Sequence, residues 1–127
     1  NGKKIINIEK KSTEDEVFIG EINGDIFYFN GREIKKIKNN CTVSPCSKNV
    51  LSGYIPDKTF VFKNNQSLLI LTENKLECFN EGGLRTVKEM NIDARFLRYN
   101  QIAIGDNSLY FGYRDNLHKI GLNNVCK

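Results

Sequence analysis

The chain has 127 residues, a formal net charge of +4, 39% hydrophobic and 27% charged residues. That size suits one ordinary domain, 1–127, with a core of its own, and the apolar share excludes a disordered chain. Acidic and basic residues are mixed along the sequence, so no strong field draws the chain toward nucleic acid, and no run approaches the roughly 18 consecutive apolar residues of a membrane-spanning helix.

Phe and Tyr supply every aromatic residue, and with many Ile and Val they weight the chain toward strands. In chain order the first predicted strands are Lys4–Ile8, Val17–Ile22, Asp25–Phe29 and Glu33–Lys38. Asn23-Gly24 joins the second and third of these, because both residues tolerate the positive φ of a tight hairpin turn. The segment 39–56 reads as an insertion loop holding Cys41, Cys46 and Gly53-Tyr54-Ile55-Pro56. Strands are expected next at Thr59–Lys63, Ser67–Thr72, Lys75–Phe79 and Leu84–Met90, with Glu73-Asn74 as the central turn. The last four are Arg95–Tyr99, Gln101–Gly105, Ser108–Tyr113 and Leu117–Gly121, centred on Asp106-Asn107. No segment has a convincing helical period.

These twelve strands form three units, 4–38, 59–90 and 95–121, built on one repeated phrase: an apolar run, a tight turn, and a second apolar strand. From Leu76 to Leu109 the phrase recurs after 33 residues, and from Ile26 to Leu76 after 50, with the insertion 39–56 falling in the longer interval. A strand covered on one face alternates apolar and polar residues, whereas one covered on both faces is continuously apolar. Val17-Phe18-Ile19, Ile26-Phe27-Tyr28-Phe29, Leu68-Leu69-Ile70-Leu71 and Leu109-Tyr110-Phe111 are continuous. The expectation is therefore an all-β chain of three four-stranded antiparallel repeats stacked face to face, with a β-trefoil as the alternative.

The order of apolar run, turn, apolar-aromatic strand, polar turn and charged strand, over residues 4–121, resembles β-propeller repeats. It lacks the Trp-Asp and Gly-His pairs of WD repeats and has a single Gly-Gly, Gly82-Gly83, where kelch repeats have one in each blade. It looks most like the degenerate WD-like blades of scaffold proteins. The resemblance implies a non-catalytic interaction platform. Propellers close with about four to eight blades, so three imply a second copy or further blades to cover their outer faces.

No catalytic set can be assembled. His118 is the single histidine and lies in the last predicted strand. No phosphate-binding glycine loop or metal-spaced ligand cluster occurs, so neither cofactor nor metal is expected. Arg95-Phe96-Leu97-Arg98-Tyr99 interleaves basic and aromatic residues, as surfaces that stack on bases do; as a strand it simply divides them between two faces, and nucleic acid is not the expected partner. Free thiols are the plainer reading of the four cysteines, with Cys78 a small core residue, and this favours the cytoplasm over secretion. A Cys41–Cys46 disulfide belongs to the other reading, a secreted trefoil that binds a sugar or receptor. The oversized loop is the expected contact with a protein partner, through Cys41, Thr42, Val43, Ser44, Pro45, Cys46 and Tyr54. The start at Asn1 without Met reads as a processed or excised end.

Overall fold

A computed structural model describes residues 18–38, 41–42 and 45–122. The expected strand Lys4–Ile8 lies outside these residues. The described chain is all-β: eleven strands in three antiparallel sheets, with two 3₁₀ turns. The chain divides into two compact units, Asn1–Asp57 and Lys58–Lys127. Among the described residues no helix is long and apolar enough to cross a membrane.

The first unit holds a meander of β1 (Phe18–Ile22), β2 (Asp25–Phe29), β3 (Ile34–Ile37) and β4 (Ser47–Leu51). Asn23 and Gly24 take φ of 51° and 87°, both left-handed, so the two-residue turn twists with its strands. Phe27, Tyr28 and Phe29 are successive and all buried, hence covered on both faces of β2. The β2–β3 turn is built by Asn30, whose side-chain oxygen accepts from the backbone N–H groups of Arg32 and Glu33.

Strand β4 corrects the expectation that 39–56 is wholly loop. Ser47-Lys48-Asn49-Val50-Leu51 has almost no apolar pattern, yet it pairs with β3 from Ile37↔Ser47 to Ile34↔Leu51. Ladder bonds use only backbone groups, so a polar segment can join once it is held beside an open edge. A disulfide between Cys41 and Cys46 closes the connection, and the Lys38 N–H donates to the Cys46 carbonyl at 2.9 Å.

The second unit holds two meanders. One is β5 (Thr59–Asn64), β6 (Ser67–Thr72), β7 (Lys75–Asn80) and β8 (Gly83–Glu89); the other is β9 (Ile102–Gly105), β10 (Ser108–Tyr113) and β11 (Asn116–Gly121). Leu69, Leu71, Leu76 and Cys78 from the former meet Leu109, Phe111 and Ile120 from the latter in one core, with Ala94, Leu97 and Leu122. Leu68 to Leu71 are all fully buried, so both faces of β6 are covered. Packing of the second sheet on the third buries Leu69 and Leu71. The run Leu109-Tyr110-Phe111, expected to be covered on both faces, is covered on one: Leu109 and Phe111 enter the core, while Tyr110 is half-buried on the other side. Cys78 is buried and disulfide-bonded, not the free core thiol expected of it, and no described cysteine is free.

The third sheet has three strands rather than four, because Arg95–Tyr99 is not a strand. The Asp93 carboxylate accepts from the Arg95 N–H, and Phe96 and Leu97 donate to the carbonyls of Asp93 and Ala94, closing a 3₁₀ turn at Ala94–Phe96. A second follows at Tyr99–Gln101. Among the described residues each of the three sheets is its own antiparallel meander.

Candidate functional site

The β10–β11 turn is Arg114-Asp115, with φ of 50° and 65°. Asp visits the left-handed region readily; Arg does so at a steric cost of about 1 kcal/mol. Backbone strain of this sort concentrates where a side chain must be aimed. Here it places the Arg114 guanidinium 4.4 Å from the centroid of Phe96 and 5.8 Å from that of Tyr113. Phe96 meets Tyr113 edge-on at 6.0 Å.

Three bonds hold Phe96 beneath Arg114. The Asp93 N–H donates to the Tyr113 hydroxyl at 2.9 Å, and the Ala94 N–H donates to the Glu73 carboxylate at 2.8 Å. The third runs from Arg95 Nη2 to Asp93 Oδ2 at 2.6 Å. The hydrogen bonds from the Arg95 side chain, then from its backbone N–H, hold the Asp93 carboxyl down at about 2. The same pairing raises the Arg95 guanidinium. The 3₁₀ segment is thus anchored through Asp93, Ala94 and Arg95, while the Phe96 side chain is turned outward, 41% exposed.

Phe96, Gln101, Tyr113, Arg114, Asn116 and Leu117 line an open cleft of about 450 Å³. Leu117, beside Gly112 in the ladder, is 77% exposed, the most exposed large apolar side chain described. It stands on the face of the third sheet opposite the core. The same face carries Tyr110, with Lys119 Nζ 5.8 Å from its ring, and the exposed Ala103 and Gly105. The core-facing side is sealed, Leu109 and Phe111 being 0% and 2% exposed. A second cleft, lined by Lys58, Glu73, Asp93 and Arg95, differs in kind. Its charges are engaged with one another, Lys58 with Glu73 and Arg95 with Asp93. The Arg114 guanidinium, in contrast, has no hydrogen bond or ion pair among the described residues, although, after Arg95, its charge helps to lower the nearby Asp93 carboxyl.

The residues expected to bind a partner are distributed otherwise. Cys41 and Cys46 are joined, Thr42 and Pro45 are exposed, and Val43 and Ser44 lie outside the described residues. Tyr54 is engaged inward, edge-on to Phe29 at 6.2 Å, with its N–H donating to the Arg32 carbonyl. His118 stacks on Phe111 at 5.1 Å and meets Tyr113 at 5.9 Å, so its ring serves packing. Sequence reasoning singled out Phe96 but not Arg114 or Leu117. The signal available was the two-residue gap Arg114-Asp115 between apolar strands.

Fold and site together define a class: an all-β repeat chain in which one face of the third sheet is built into a core, the other is open, and an arginine-capped aromatic corner stands at the sheet's end. Comparison with protein-family models, curated proteins and solved structures finds no match.

Proposed function

We propose that this chain is a non-catalytic protein-interaction platform. Its sheets act as propeller-like blades, and the uncovered face of the third sheet, ending at the Arg114 corner, is the contact surface. The observation that carries this reading is the asymmetry of that sheet. Leu109 and Phe111 on one side are sealed, while Leu117 on the other lies in solvent. Leu117 on this face is continuous with the exposed Phe96 ring through the cleft that both line, and a contiguous apolar surface rimmed by polar residues is the kind that marks an interaction site. Pairing with a second copy is the weaker variant, because this face and its corner carry Arg114 and Lys119 against the carboxylate of Asp115, so two copies would meet with the same sign of charge, and like charges oppose association. Engagement of His118 with two rings supports the non-catalytic part. The disulfide-bonded Cys41, Cys46 and Cys78 support an oxidising compartment, against the free-thiol expectation.

Selection of a random displayed-peptide library on the immobilised folded chain tests the proposal, with the recovered binders mapped by amide chemical shifts. Binders are expected to shift Ala103, Gly112 and Leu117. Enrichment that maps to other surfaces, or no enrichment, overturns it.

A further inference from the structure

The corner differs from an ordinary apolar patch in one respect: a cation is fixed over it without an acceptor. A guanidinium presents five donors in a rigid fork suited to a carboxylate. Stacking on Phe96 occupies one face of the Arg114 guanidinium and leaves the in-plane donors unsatisfied by any described residue. Flanking it, Leu117 offers an aliphatic surface and Tyr113 a ring edge. The site is preorganised, because the left-handed turn fixes the backbone at Arg114 and three hydrogen bonds fix Phe96.

Resting on the interaction-platform reading, we propose that the corner binds a short peptide segment of a partner protein in which an acidic side chain stands beside a large aliphatic one. The carboxylate bonds to the Arg114 fork, and the aliphatic group lies on Leu117 and Gly112. Nucleic acid fits less well. Phosphate binding relies on several cations in series. Here Arg95, 5.9 Å from the Phe96 centroid, is held by the Asp93 carboxylate, and Arg114 and Lys119 have the Asp115 carboxylate between them in sequence and an exposed Leu beside them.

The test uses the full chain, ¹⁵N-labelled and titrated with four probes: a short capped peptide with Asp flanked by Leu, the same peptide with Asn or with Lys in place of Asp, and oligodeoxythymidylate. The Asp peptide is expected to shift the amides of Phe96, Arg114 and Leu117, and the Asn peptide to bind about tenfold more weakly, as loss of a charge-assisted hydrogen bond implies. R114G removes the guanidinium at a turn whose φ suits glycine, so it should keep the remaining spectrum and lose affinity for the Asp peptide by a similar factor. Equal or tighter binding of the Lys peptide or the oligonucleotide overturns the proposal, as does unchanged affinity in R114G or absence of shifts at the corner. Library binders that map to the open face without a carboxylate overturn this partner chemistry alone; binders that map elsewhere overturn the platform reading with it.

Discussion

At the scale of single residues, Arg114 shows how a turn can be chosen for its side chain rather than its backbone. Asn23-Gly24 and Asp106-Asn107 fill their left-handed turns with residues that accept them cheaply, whereas in Arg114-Asp115 only the aspartate does. Replacing Arg114 by Gly relieves about 1 kcal/mol of strain. It also gives up a cation–π contact of about 0.5–1 kcal/mol and adds chain entropy to the unfolded state, so the terms nearly cancel. R114A loses the contact and keeps the strain. In urea denaturation R114G is therefore expected near wild type and R114A about 1 kcal/mol below R114G; equal midpoints for the two variants would show that the turn is not left-handed. Asp93 supplies a pH-dependent counterpart. Its carboxyl is lowered from an ordinary value of 3.8 to about 2, so its stabilisation is complete above the ordinary value and disappears as pH falls through about 2. D93N should thus be less stable than wild type at neutral pH, with the gap closing between pH 4 and 2; a gap independent of pH would mean that the carboxylate charge is not the cause.

At the scale of elements, an edge strand shows what holds the second unit in register. The Val61 N–H, at the outer edge of β5, donates to the Tyr99 hydroxyl at 3.0 Å, and the Tyr99 ring lies 4.9 Å from Phe60 and 5.3 Å from Phe62. The segment expected to add a strand here instead covers the neighbouring sheet's edge with a side chain, one way of blunting an edge. Y99F keeps the ring contacts and leaves the Val61 amide without that acceptor, a loss of about 1 kcal/mol. Faster hydrogen exchange at Val61 and a lower urea midpoint are the expected readings; unchanged exchange there would remove Tyr99 from this role. The hairpins β1–β2, β6–β7 and β9–β10 were legible because each has local causes, two apolar runs around turn-forming residues. Strand β4 was not, since its pairing depends on an edge supplied by β3 and not on its own side chains. Arg95–Tyr99 was misread because its alternation fits a strand, while the Asp93 carboxylate and the Tyr113 hydroxyl close the backbone into a turn.

For the molecule as a whole, the decisive property is that the second and third sheets share one core within the unit Lys58–Lys127. Leu109 and Leu117 occupy paired strands of the same sheet and face opposite ways, one fully buried and the other largely in solvent. L109A should cost about 3 kcal/mol through lost burial and a residual cavity, and L117A less than about 0.5 kcal/mol, as expected of a surface change. A large loss in L117A would show that its face is covered in the free protein and would remove the open surface on which the functional reading rests. The sequence alone determined the all-β class, the three hairpins and the two-sided burial of β2 and β6, though not the open face of the third sheet, because alternation, continuous apolar runs and turn residues act over a few neighbours. Tertiary structure decided which polar segment became a strand, which alternating segment became turns, and that Arg114, Phe96 and Leu117 converge. Those outcomes depend on a free sheet edge, a distant hydroxyl and a shared core, and such partners meet only after the chain has folded.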